Sequence, residues 1–261
     1  VYLSEQDKAD LLLGLENDVA TAVNEAVAAL DEKLGEVVAK TAVDLVINDP
    51  ETDVRIIRNA ETNLGDLCAD AYRDQSGADI AFVNGGGVRV SIDAGDITLN
   101  DILLVHPFGN AMCVVEATGQ QILDALEWGA RVVPEENGGF LQVSGLTYEI
   151  HTYIESSCTQ DENGLFTGVS GEYRVKNVKV NGEDLDLEKT YTLDSHNYML
   201  KNAGDGFTMF QSDPILQDEV MLDNQVLINY ITGTLEGNVG EAYANPYGDG
   251  RIVAVTEAPA E

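Results

Sequence analysis

Apolar positions follow two different periods along this chain, and the change between them sets the expected fold. From about Ser4 to Lys40, Leu11, Leu12, Leu15, Val19, Val23, Val27 and Leu30 recur at spacings of three and four. That is the repeat of one helix face. Ser4 followed by Asp7 reads as an N-cap with an acid in the first turn, and only Gly14 interrupts the run. A helix this long ahead of a compact domain is expected to be a connector or docking arm, or to cover the core.

Beyond Val37 the apolar runs shorten and turn residues punctuate them. Thr41–Ile47 reads as a strand stopped by Asn48-Asp49-Pro50, and Leu64–Tyr72 as a short helix capped by Thr62 or Asn63. Ala78–Val83 reads as a buried strand running into Asn84-Gly85-Gly86-Gly87, and Asn110–Ala117 as another. Thr118-Gly119-Gln120-Gln121 is a capping-box pattern that opens a helix to about Ala130. Glu135–Gly139 is a loop. Phe140–Ile150, Glu172–Val180, Tyr191–Tyr198 and Arg251–Val255 read as strands, with a hairpin turn at Asn181-Gly182. A late helix is expected over Asp223–Thr234, with Val226, Leu227, Tyr230 and Ile231 on one face. Strands and helices mix without regular alternation, so the expected class is α+β, mixed sheets with packed helices. The expected domains are a connector or docking helix at 1–36, a folded domain at 37–256, and a linker start or frayed end at 257–261.

Composition narrows the partners. The 261 residues are 44% apolar, enough for a sizeable core. Acids outnumber bases 46 to 14, for a formal net charge of -32. Such a surface repels nucleic-acid polymers and anionic lipid, and any phosphate ligand needs a local basic pocket. No apolar run is long enough for a membrane span. The three cysteines form no CxxC pair; Cys68 and Cys113 have apolar neighbours and are expected to be buried thiols, and Cys158 an exposed one. His106, His151 and His196 show no metal-ligand spacing.

Four segments carry candidate chemistry. In Asn84–Arg89, the glycines let backbone approach a ligand and turn N–H groups outward, and Arg89 adds a planar cation. Arg58 precedes a helix start, where partial positive charge suits an anion, although a surface pair with Glu61 or another of the many acids is the plainer expectation. In His106–Asn110, Pro107 and Gly109 frame Phe108, which either projects from a turn or packs in the core. Asn197-Tyr198 leads to Gly204-Asp205-Gly206, where an acid on a tight loop can accept from a sugar diol or simply serve the turn. Together these suit a nucleotide, with rings on the base, the aspartate on the sugar and the arginines on phosphate.

The segments RNAETNLGDLCADA, FVNGGGVR, HPFGNAMCVVEATGQQILDALE, GGFLQVSGLTY, HNYMLKNAGDGFTMF and YGDGRI, in this order, closely resemble the C-terminal domain of 5′-nucleotidases and UDP-sugar hydrolases. The resemblance spans roughly residues 37–256. It implies a substrate-recognition domain of a secreted phosphohydrolase, binding the nucleoside part of nucleotides in an extracellular, periplasmic or cell-wall setting. It assigns Arg58 and Arg89 to phosphate or the sugar side, Asn84, Gly86 and Asn110 to further ligand contacts, and Phe108 and Tyr198 to a base clamp. Asp205 becomes the ribose-hydroxyl acceptor and the first helix part of the connector. The Asn197-to-Asp205 spacing is one residue longer than in many relatives, so Met199 competes with Tyr198 for the clamp.

The resemblance also implies a separate N-terminal metallophosphoesterase domain with two divalent metal ions. Its GDxxD, GNHE and GHxH motifs do not occur in this sequence, and the short DxH pattern occurs only as Asp194-Ser195-His196, without the others. No catalytic residue, metal ligand or cofactor is therefore expected in this chain, which is expected to be inactive alone. Its expected partners are a nucleoside or nucleotide and its own metal-bearing domain. A second reading is a diverged ligand-binding or interaction module for UDP-sugars, cyclic nucleotides or another phosphate ester, and a third is a scaffold for domain movement.

Overall fold

The computed structural model describes residues 5–258. The Ser4 cap, the Asp7 and Leu11 side chains and residues 259–261 lie outside the described residues. The chain runs through α1 (Glu5–Leu34), β1 (Val37–Thr41), α2 (Asn63–Ser76), β2 (Ile80–Asn84), β3 (Gly95–Thr98), α3 (Leu99–Val105), β4 (Met112–Thr118) and α4 (Gly119–Ala130). It continues with β5 (Leu141–Ser144), β6 (Leu146–His151), β7 (Cys158–Gln160), β8 (Phe166–Val169), β9 (Val175–Val180), β10 (Glu183–Asp184) and β11 (Thr190–His196). The last elements are α5 (Asn197–Leu200), β12 (Ile215–Gln217), α6 (Asp223–Asn229), β13 (Asn238–Val239) and β14 (Ile252–Val255). The expected α+β class is the observed one.

The centre is a five-stranded mixed sheet in the order β12-β4-β11-β2-β5. Strand β2 is buried on both faces, and its side chains alternate between two cores as a pleat requires. Ile80 and Phe82 join α4 and the sheet β10-β9-β6-β14, around Trp128, Phe140 and Phe207. Ala81 and Val83 join α2, α3 and α6, around Leu64, Leu67, Tyr72 and Ile231. The small sheet β13-β1-β3 edges the second core.

Local signals explain most boundaries. Thr62, not Asn63, caps α2 by accepting from Gly65 N. The capping box of Thr118 and Gln121 is formed at α4. Asn181 and Gly182 both take positive φ, making the expected hairpin.

Four expectations are corrected. The first helix ends at Leu34, and the strand that follows is Val37–Thr41, held by β3 and β13. Past Thr41 the partners are mixed: Leu45 exchanges backbone hydrogen bonds with Ile92 in an isolated bridge, whereas Val46 N donates to Asn63 Oδ1 and Ile47 N to Ser91 Oγ, so no strand covers Thr41–Ile47. Phe140–Ile150 is two strands in different sheets, broken at Gly145. There φ is +80° and a Cβ would meet Asp79 O at 2.1 Å, so the chain turns where only glycine fits. Finally, Tyr198 lies in the short helix α5 and not in the strand before it.

Helix α1 stands away from both cores. Leu12, Leu15, Val19, Val23, Val27 and Leu30 are each at least half exposed, so the helix does not cover the core. Cys68 and Cys113 are buried free thiols as expected. Cys158 is half-buried against the first core and not exposed.

Candidate functional site

Topology gathers the candidate segments at one end of the central sheet. Strands β2 and β11 run parallel, so their C-terminal residues Asn84 and His196 emerge side by side. Strand β4 runs antiparallel to β11, with Met112 opposite His196, so the 106–111 loop arrives at the same end. Leu141 pairs with Asn84, which brings the 135–140 loop there too. Asn197 N donates to Ala111 O, and Asn197 Oδ1 accepts from Ala111 N, fastening the start of α5 to the Phe108 loop.

These loops enclose a cavity of 370 Å³ lined by Arg58, Asn84, Gly86, Phe108, Asn110, Gly138, Tyr198 and Asp205. Seven of the residues singled out in the sequence therefore share one pocket. The eighth, Arg89, lies beside it, with its guanidinium 5.7 Å from the Phe108 ring centre and its Nη1 donating to Gly86 O. Phe108 is 60% exposed, so its ring is outside the core. Tyr198 is 39% exposed in the cavity wall, whereas Met199 is fully buried. Tyr198, and not Met199, therefore stands at the pocket.

Asp205 is held in place from several sides. Its backbone is left-handed at φ 52°, its N–H donates to the Tyr198 hydroxyl, and its carbonyl accepts from Trp128 Nε1 at 2.9 Å. The Asp205 carboxylate accepts from Asn84 Nδ2 at 2.7 Å and from Tyr198 OH at 3.1 Å. The Tyr198 ring packs over Gly204, where a Cβ would lie 2.4 Å from it. Burial, followed by the Asp205 charge, raises the Tyr198 pKa, so the phenol keeps its proton.

The glycine run works differently from expectation. Gly85 N donates to Phe140 O, Gly86 N to Gly138 O and Gly87 N to Asn84 O. The backbone N–H groups are thus taken by protein and do not form an outward anion nest. Glycine is needed for closeness: a Cβ on Gly85 would meet Ile57 O at 2.1 Å, and one on Gly86 would meet Gly138 O at 2.9 Å. This packing, with Asn137 N donating to Arg58 O, sets Arg58 and Gly138 in the pocket wall.

Arg58 supplies the local positive charge. It does not pair with Glu61, which is buried and accepts from Gly250 N and Ile252 N. Its Nε is buried without a hydrogen-bond partner in the protein. Burial and the neighbouring charges of Arg55 and then Arg89 lower its pKa. Three arginines thus concentrate positive potential in an otherwise acidic protein, with Arg55 answered by Glu136 at 2.5 Å.

Behind the pocket lie His196 and His106, both buried. Burial lowers His196 to about 3 and His106 to about 4, so both rings are neutral near neutral pH. His196 Nε2 is 3.0 Å from Asn84 Oδ1. His151 is elsewhere, bonded to Glu149 and Tyr153. Among the described residues, Glu61, Asp66 and Asp249 are grouped within reach of a metal ion. Arg251 lies against them, 2.9 Å from Asp249 and 3.5 Å from Asp66, and no histidine joins. These residues do not fit a dimetal centre, and no step through metal is assigned to them.

Gly138 and His196 carry no sequence signal for the cavity: Gly138 belongs to a polar loop, and His196 is isolated from the other histidines along the chain. Only the pairing of β2 with β11 brings it to Asn84.

The family description "5′-nucleotidase, C-terminal domain" matches residues 37–212. The trifunctional nucleotide phosphoesterase protein YfkN of Bacillus subtilis is 33% identical over 203 residues, 72% of this chain and 13% of that protein. Protein UshA of Escherichia coli is 29% identical over 208 residues, 80% of this chain and 32% of UshA. The chain thus spans about a third or less of these curated relatives. Among solved structures, a 5′-nucleotidase precursor from Thermus thermophilus superposes with a TM-score of 0.72 at 30% identity, over 92% of this chain and 43% of that one. The Haemophilus influenzae NAD nucleotidase shares the fold at a TM-score of 0.65 and 17% identity, over 99% of this chain and 46% of that one. With the family pattern matched across most of its length and the same fold in these relatives, the chain belongs to the 5′-nucleotidase C-terminal domain family.

Proposed function

We propose that this domain recognises the nucleoside part of nucleotides for a secreted 5′-nucleotidase-type phosphohydrolase. The observation that carries the reading is the single cavity shared by Phe108, Tyr198, Asp205 and Arg58. A flat base suits the two aromatic side chains. Asp205 accepts from sugar hydroxyls, and the Arg58 guanidinium in the cavity wall suits a phosphate or other anionic oxygen. Hydrolysis of the phosphate ester belongs, in this reading, to a metallophosphoesterase domain with two divalent ions. Such ions would supply an activated water, and the residues of this chain bind and orient the substrate. The long exposed helix α1 suits a connector to that domain. An extracellular, periplasmic or cell-wall setting belongs to the same reading. Among the described residues no helix is long and apolar enough to cross a membrane.

Backbone NMR shifts recorded while AMP is added test the location. The reading expects the largest changes at residues 84–89, 106–110, 137–139 and 198–206. Changes confined to other surfaces would refute it. Purified chain assayed for AMP hydrolysis with added divalent metal is expected to release no phosphate.

A further inference from the structure

Asn84 has two chemically different ends, and the site depends on which end faces Asp205. The amide NH2 only donates and the amide oxygen only accepts. The Asp205 carboxylate only accepts, so the 2.7 Å contact requires Asn84 Nδ2 on that side. Asn84 Oδ1 then faces His196 Nε2 at 3.0 Å and needs a donor from it. A neutral imidazole has one N–H, and this contact assigns it to Nε2. His196 Nδ1 has no partner in the protein. The ring is 2% exposed, edge-on to Tyr72 at 6.4 Å and tilted against Tyr198 at 5.9 Å between centroids. It is packed in place by the pocket it serves.

We propose that His196 is a positioning residue that sets the polarity of the ligand site: its Nε2–H holds the Asn84 amide in the orientation that donates to Asp205. Asn84 and Tyr198 then fix the carboxylate, and its remaining lone pairs accept from a ligand that must donate, such as a vicinal diol. Without the His196 donor, Asn84 Oδ1 is left buried with no partner, so the amide shifts off the Asp205 contact to satisfy it and the carboxylate loses its fixed direction. The ligand's identity rests on the nucleoside reading; the orientation of the amide does not.

The test has two arms. In wild-type chain labelled with 15N-histidine, long-range proton–nitrogen correlations near neutral pH are expected to show His196 protonated at Nε2 and bare at Nδ1. An Nδ1–H tautomer overturns the proposal. In the second arm, His196→Leu and His196→Gln are titrated with adenosine and uridine and with their 2′,3′-dideoxy counterparts. His196→Leu is expected to weaken the diol-bearing nucleosides about ten-fold while leaving the dideoxy compounds within about two-fold. His196→Gln, which keeps a donor of similar reach, is expected to restore most of that preference. A purely structural role would lower both ligand classes together. A folded His196→Leu that keeps the wild-type preference for the diol also overturns the proposal. If wild type binds no nucleoside, the nucleoside reading fails alone, and the tautomer decides for His196.

Discussion

Asn84 Nδ2 donates to Asp205 Oδ2 at 2.7 Å, joining the end of a central strand to a loop 121 residues later in the chain. That bond ties the ligand loop to the rigid sheet, so the acid is aimed by the fold and not by its own loop. Asp205→Asn keeps the size and tolerates the left-handed backbone, but it replaces an acceptor-only carboxylate. Nucleoside affinity is expected to fall by about 1.5–3 kcal/mol, the range for hydrogen bonds to a charged group. Calorimetry on wild type and variant reads this directly; equal affinities would remove Asp205 from the site.

Phe108 separates binding from stability. Its ring is largely exposed and lies outside both cores, so truncation leaves little cavity in the fold. Phe108→Ala is expected to leave the urea midpoint almost unchanged while lowering AMP affinity by about 1 kcal/mol or more. A large loss of stability would mean that the ring packs as a core residue.

Gly204 and Tyr198 are coupled through space. A Cβ at Gly204 would overlap the Tyr198 ring, so Gly204→Ala is expected to displace the ring and weaken nucleoside binding. In the Tyr198→Ala background the ring is gone, and adding Gly204→Ala should cost little more. A double-mutant cycle measures this coupling; additive losses would contradict the contact.

Asp194 gives a pH signature away from the site. It is fully buried, both carboxylate oxygens lack hydrogen-bond partners in the protein, and burial pushes its pKa from 3.8 up to about 8. Between those values the folded state holds a proton that the unfolded state has released. The stability Asp194 contributes is complete below the unfolded pKa and falls as pH rises toward about 8, by up to about 1.4 kcal/mol per pH unit. Asp194→Asn should lose less stability over that window. Urea unfolding of both chains across it checks this, and parallel pH profiles would show that Asp194 is ionised in the fold.

The segments around the cavity were legible because each concentrates unusual residue types in a short stretch. That Arg58, Asn84, Phe108, Asn110, Tyr198 and Asp205 line one cavity is seen only in the fold. What the sequence could not show was long-range hydrogen bonding. The N–H groups of Gly85, Gly86 and Gly87 looked available until Phe140, Gly138 and Asn84 carbonyls were found accepting from them. Apolar periodicity read Phe140–Ile150 as one strand because both halves are buried; only positive φ at Gly145 divides them between sheets. The strand β3 and helix α3 went unread. Their short segments carry little periodic signal, although Thr98 and Asp101 form a capping box there. The first helix was legible from its apolar repeat, but the same repeat does not say whether that face is covered. Here it is exposed.

Calorimetric titration of the wild-type chain with adenosine, AMP and UDP-glucose tests the central claim most directly. The account predicts saturable binding with one site per chain, and adenosine alone sufficing because the base and sugar contacts reside here. A folded chain that binds none of the three ligands would contradict it.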